Sequence, residues 1–160
     1  MILNDSITLD RIKLAHPKIR EELLKYYLEI NSKLPKNCRL RFAYVFRTPE
    51  EQHKLFLQKP KVTNADSWQS IHNYGLAFDI VLLYDKDNNG SFETPSWTND
   101  DNWKKVVEYF KSKGYEWGGD WKFKDAPHFQ KAFNNTWKQL KTKIDNKQYV
   151  KENNILYPNI

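Results

Sequence analysis

The chain has 160 residues and sets 26 Lys and Arg against 20 Asp and Glu, for a formal net charge of +6. With 39% hydrophobic and 15% aromatic residues it holds ample material for a packed core, which excludes intrinsic disorder, and its length predicts one domain over residues 1–160. No apolar run approaches the roughly 18 to 20 residues of a membrane span, and the lone cysteine, Cys38, excludes an internal disulfide and a cysteine-rich zinc ribbon.

The elements follow in chain order. The N-terminus, from Met1 to Ser6, has no basic region followed by an apolar run, so no secretory leader is expected. Pro17 suits a helix start, and Ile19, Leu23, Tyr27, Ile30 and Leu34 recur at helical spacing, predicting a helix from about His16 to Lys33. Arg39 to Phe46 alternates and predicts a strand with Leu40, Phe42, Tyr44 and Phe46 on one side. Thr48-Pro49-Glu50-Glu51 is a capping box that opens a short helix to about Gln58. A loop from Pro60 to Ser70 leads to a buried strand from Leu76 to Tyr84, then a turn from Asp85 to Gly90. Trp103, Val106, Val107 and Phe110 predict a helix from about Asn99 to Lys113, stopped by Gly114. Tyr115 to Trp117 and Pro127 to Ala132 are short strand candidates, and Trp137, Leu140 and Ile144 mark a last helix. Helices packed on a small antiparallel sheet is the α+β solution.

Asp79 lies inside Leu76-Ala-Phe-Asp-Ile-Val-Leu-Leu83. A carboxylate in a buried strand must be paired, protonated or bound to a metal, and Arg47 or Arg41 would serve as a partner. His72 stands seven residues earlier, before Gly75, whose conformational freedom allows a tight turn back over the strand. His128 follows Asp125-Ala-Pro127, a context that favours a turn. Two histidines and one carboxylate form a common catalytic zinc shell that leaves a fourth position for water, and Asp125 is a natural candidate for the general base on that water. His16 and His53 read as structural or exposed.

Ser70-x-His72-x-x-Gly75-x-Ala77-x-Asp79 followed by Asp125-x-x-His128 resembles the pattern of the zinc peptidases that cut peptidoglycan stems. That group includes D-alanyl-D-alanine carboxypeptidases and dipeptidases and, more distantly, lysostaphin and the hedgehog signalling domain. Phe46-Arg47-Thr48-Pro49-Glu50-Glu51-Gln52, Trp117-Gly-Gly-Asp-Trp121 and Asp125-Ala-Pro-His-Phe-Gln130 make the chain most similar to the L-alanyl-D-glutamate endopeptidases used as phage endolysins. The resemblance spans about residues 15–132. It implies a small antiparallel sheet carrying one zinc ion on His72, Asp79 and His128, with Asp125 as acid and base. It places Arg47 against the substrate carbonyl, where its charge would stabilise an oxyanion, and gives Ser70 a supporting hydrogen bond. Trp117 and Trp121 are candidates for the cleft wall. The implied substrate is the peptidoglycan stem peptide within an anionic cell wall. The implied setting is a monomer made in the cytoplasm and released to the wall with a holin.

Two rivals stand beside this reading: a D-Ala-D-Ala carboxypeptidase or dipeptidase on the same zinc site, and a basic nucleic-acid-binding module. The second fits the charge and the aromatic content, but it leaves Asp79 unexplained and no nucleic-acid motif accompanies it. A zinc-bearing, inactive wall-binding protein is a third possibility. Asp85, Asp87 and Asn89, followed by Gly90, have the early spacing of a calcium loop, yet Ser96 replaces its closing Glu; a hairpin turn explains the same residues. The tail, residues 133–160, carries Lys138, Lys141, Lys143, Lys147 and Lys151. It is too short to bury a core of its own and is expected to pack on the catalytic domain, its lysines exposed to the wall.

Overall fold

The structure, a computed structural model, describes residues 5–160; most of the N-terminal stretch read above for a leader therefore lies outside the described residues. Phe42, Phe78, Phe110 and Phe129 form the centre of the core. Phe78 stacks on Phe129 with ring centroids 5.2 Å apart and on Phe42 at 4.4 Å, and meets Phe110 edge-on at 4.8 Å. Three of these rings come from strands: β1 (Cys38–Tyr44), β2 (Ala77–Tyr84) and β5 (His128–Gln130). With β3 (Thr94–Ser96) and β4 (Glu116–Trp117) they form a five-stranded sheet in the order β1-β2-β5-β4, with β3 also paired to β2. Every pairing is antiparallel.

The helices supply the other side of the core. They are α1 (Ser6–Ile12), α2 (Pro17–Lys33), α3 (Pro49–Phe56), α4 (Asp101–Ser112) and α5 (Trp137–Asp145). The α2 and α4 periodicities hold: Ile19, Leu23, Tyr27 and Ile30, and Trp103, Val106, Val107 and Phe110, are all buried. The capping box at Thr48 forms in full. No periodicity announces α1, which has only seven residues and is held by tertiary contacts. It covers the free edge of β1, where the Thr8 hydroxyl accepts from the Phe42 N–H and the Arg11 guanidinium donates to the Phe42 carbonyl. Asn31 of α2 does the same for both backbone groups of Leu40. An edge strand paired in this way offers few free groups for other strands to join.

One register detail differs from the alternation in the sequence. Leu40 and Phe42 face the core, but a β-bulge between Phe42 and Tyr44 sets Tyr44 opposite Asp79. The extra residue turns Tyr44 to the other face, where it is half exposed, and buries Val45 instead.

The tail also adds structure beyond its helix. Strands β6 (Tyr149–Glu152) and β7 (Ile155–Pro158) form a hairpin closed by Asn153 and Asn154, both at positive φ, as a two-residue turn of this kind requires. Leu140 and Ile144 of α5 join the core cluster. Tyr157 is buried, and its hydroxyl donates to the Leu14 carbonyl at 2.7 Å. Among the described residues no helix is long and apolar enough to cross a membrane. Tyr157→Ala should lower the unfolding free energy by about 3 kcal/mol, the usual scale for emptying a buried aromatic site. Urea denaturation checks this; an unchanged midpoint would mean that the hairpin contributes nothing to the domain's stability.

Candidate metal centre

Side chains alternate along a strand, so β2 and β5 each present two faces. Phe78 and Phe129 are register partners on the core face. Asp79 and His128 are register partners one residue along, so they share the opposite face, which opens into a cleft. His72 arrives from the short 3-10 turn Ile71–Tyr74. Ser70 caps that turn, its hydroxyl accepting from the His72 N–H, and Gly75 ends it at φ +71°. A side chain at Gly75 would be strained by that φ, and its Cβ would lie 2.6 Å from the His16 nitrogen. The His16 N–H donates to the Gly75 carbonyl at 2.8 Å, which locks the turn onto the start of α2. His16 is thus structural, its ring capping α2 and bonded to the Pro158 carbonyl. His53 pairs on the surface with Asp66.

The turn and the two strands bring His72 Nε2, Asp79 Oδ1 and His128 Nδ1 within 4.8 Å of one another. Asp79 Oδ1 is 3.2 Å from each inward ring nitrogen. The outward nitrogens are occupied: His72 Nδ1 lies 2.7 Å from the Val45 carbonyl, and His128 Nε2 lies 2.8 Å from Gln130 Oε1. With acceptors there, the ring protons can lie outward, which turns both inward lone pairs toward a bound cation. Three such atoms this close can hold a cation among them, a proton or a metal ion. The donor set therefore fits a metal, and the outer carbonyls orient the rings as they do in histidine metal sites.

Burial alone would raise the Asp79 pKa, but the charge of His72 and the hydrogen bonds from both histidines more than reverse it, holding the carboxyl well below the usual carboxylate range. Burial would lower the His128 pKa, yet its hydrogen bond and attraction to Asp79 raise it above the ordinary histidine value.

Asp125 and Arg47 complete the cleft, which has a volume of about 430 Å³. Asp125 Oδ2 is 3.9 Å from His128 Nδ1, and half its side chain is exposed. Burial raises its pKa and the nearby Asp79 charge adds to this, while His128 opposes it. Arg47 Nη2 lies 4.0 Å from Asp79 Oδ2, whereas Arg41 is bound at 2.8 Å to Asp5 and plays no part. Trp121 lines the cleft with its ring 5.2 Å from that of His128. Trp117 is not in the wall; its indole N–H donates to the Ala126 carbonyl and its ring packs against the core. That contact braces the turn before His128.

Several supporting groups escaped the sequence reading. Gln130 and the Val45 carbonyl orient the histidines. The buried Gln52 accepts from Arg47 and donates to the Ala65 carbonyl in the cleft loop. Gly118 packs under Asp125, where a Cβ would come within 2.3 Å of the Asp125 carbonyl. The only advance sign of the last was the Gly118-Gly119 pair, which reads equally as a turn. At the Asp85 loop, Asp85 accepts from the Asn89 and Gly90 N–H groups and Asp87 from Asn89. These carboxylates close a turn and give calcium no support.

Two results should follow. Gln130→Leu removes the acceptor behind His128 and should weaken metal binding about 10- to 100-fold, measured by competition with a chelating dye. Metal affinity should also fall as pH drops, because His128, with its pKa raised, must release a proton; the decline should begin above the ordinary histidine pKa of about 6.5. A pH-independent affinity between 6 and 8 would contradict this assignment of the ligands.

Comparison with known proteins agrees with this geometry. Residues 63–131 match the family model described as D-alanyl-D-alanine carboxypeptidase. Over 98 residues, 53% of this chain and 56% of the relative, the sequence is 41% identical to the peptidoglycan L-alanyl-D-glutamate endopeptidase CwlK of Bacillus subtilis (strain 168). It is 39% identical over 69 residues, 41% of this chain and 22% of the relative, to the L-alanyl-D-glutamate peptidase of Listeria phage A118. The matched region thus spans little more than half of the first of these proteins and less than a quarter of the second. The crystal structure of Serratia marcescens L-Ala D-Glu endopeptidase ChiX shares the fold, with a TM-score of 0.55 and 22% identity, covering 80% of this chain and 88% of that one. The segment that contains Ser70, His72, Asp79, Asp125 and His128 therefore matches the D-alanyl-D-alanine carboxypeptidase family, and the chain is similar to L-alanyl-D-glutamate endopeptidases.

Proposed function

We propose that this chain is a zinc-dependent peptidase that hydrolyses the L-Ala–D-Glu amide bond of the peptidoglycan stem peptide. The observation that carries the reading is the convergence of His72, Asp79 and His128 in a cleft whose edge holds the half-exposed carboxylate of Asp125. Two imidazoles and a carboxylate suit zinc, and three protein ligands leave a position open, as in catalytic rather than structural sites. When bound, zinc supplies Lewis acidity, polarising the scissile carbonyl and acidifying water.

The chain's own residues do the rest. His72, Asp79 and His128 hold the ion, with Val45 and Gln130 fixing the rings. Asp125 accepts the proton of the attacking water and returns it to the leaving amine. A raised pKa suits the return step, since a more basic carboxylate holds the proton better. Arg47 stabilises the negative charge that develops on the scissile carbonyl oxygen. The names of the two sequence relatives support the choice of bond. The family description favours a second reading, removal of terminal D-Ala on the same site. On the first reading the enzyme acts on the cell wall, in keeping with a relative from a phage; holin-type release would carry it there. The +6 charge then steers it to an anionic wall polymer.

Mass spectrometry of stem peptides after digestion separates the two: new D-Glu amino termini are expected, and loss of D-Ala alone would replace the first reading by the second. Asp125→Ala should lower hydrolysis about 10²- to 10⁴-fold while keeping its metal, and a chelator should abolish hydrolysis until zinc is returned. Digestion at full rate in either condition would sink the mechanism.

A further inference from the structure

Tyr44 is an exposed aromatic whose position depends on one extra residue. Continuing the register from Phe42 and Ile80 by two residues would set Tyr44 opposite Phe78, in the core; the bulge sets it opposite Asp79 instead. There half of it is exposed and it lines the cleft. The Arg47 guanidinium lies over its ring, 4.8 Å from the centroid. Arg47 is otherwise held by Gln52 Oε1 at 3.1 Å and by Asp79 Oδ2 at 4.0 Å, the latter beyond hydrogen-bond distance.

We propose that Tyr44 is a positioning residue for Arg47: its ring supports one face of the guanidinium and aims the remaining N–H donors at the scissile carbonyl. This rests on the peptidase reading above. The pull of Asp79 on Arg47 is strongest in the metal-free site and weakens when a bound cation shares that carboxylate and repels the guanidinium. The hydrogen bond to Gln52 fixes one N–H but leaves the plane free to swing about it. The negative face of the Tyr44 ring attracts the guanidinium without drawing on Asp79. A contact through the ring face uses none of the guanidinium's hydrogen-bond donors, so those not on Gln52 stay free for substrate.

The test is a double-mutant cycle of Tyr44→Ala and Arg47→Ala, read in two ways. In hydrolysis of a stem peptide by the zinc-loaded protein, Tyr44→Ala should lower kcat roughly three- to tenfold, with KM little changed. Tyr44→Phe should restore the rate, and Tyr44→Ala should have no further effect once Arg47 is Ala. In urea unfolding of the metal-free protein, the two substitutions should shift the midpoint non-additively. Zinc content should stay the same in all variants. Additive effects in either readout, failure of Phe to rescue, or loss of zinc in Tyr44→Ala would overturn the proposal. If the wild type cuts no stem-peptide bond, the peptidase reading fails, while the unfolding cycle still decides whether ring and guanidinium are coupled.

Discussion

The arrangement turns on one carboxylate. Asp79 sits in a strand whose neighbours Phe78 and Ile80 are fully buried, and an unpaired charge there would cost far more than a domain of this size can spare. The fold answers by bringing a histidine from the preceding turn and another from the neighbouring strand to the same oxygen. Those histidines stabilise the charge, and the same proximity creates a three-donor group that could hold a metal ion. Stabilisation of the charge and the capacity to hold a metal ion are thus two aspects of one electrostatic constraint.

The constraint extends outward through groups behind the three donors. For His72 and His128 to present lone pairs inward, each needs an acceptor behind it. Gln130 provides one from the same strand face, two residues on from His128. The Val45 carbonyl provides the other, just past the bulge in β1. The bulge therefore has two effects: it brings a backbone acceptor to His72, and it turns Tyr44 toward Arg47. On the far side of the cleft, Gly118 and the Trp117 indole hold the Asp125 turn at a separation that any added Cβ would disturb. The machinery around the site is mostly backbone geometry.

The C-terminal segment contributes from behind. Leu140, Ile144 and Tyr157 bury themselves in the domain, and Tyr157 lies against the Gly75 turn, where an added Cβ would be 3.1 Å from its ring. That turn carries His72, so the hairpin at the end of the chain buttresses a residue of the candidate metal centre from which it is far removed in sequence.

Much of this was legible in the sequence. The periodicity of α2 and α4, the capping box of α3 and the apolar run of β2 are local signals, because the hydrophobic face and the cap lie within a few residues of one another. His72, Asp79 and His128 were legible for a related reason: a charged or titratable group in an apolar or glycine-bounded context has few physical explanations. What only the tertiary structure decided are the contacts between distant segments. A bulge inserts one residue into a strand without changing its composition, so Arg39 to Phe46 reads as regular alternation while Tyr44 in fact faces the cleft. Helix α1 and the β6–β7 hairpin are too short to carry a strong period and form where they have a surface to cover. Gln52, Gln130 and Gly118 are ordinary residues on the page; their roles depend on which carbonyl, guanidinium or ring the fold places a few ångströms away. Sequence determines which groups must find partners, because burial makes an unpaired charge too costly; the fold decides which partners they find, because distance along the chain says nothing of distance in space.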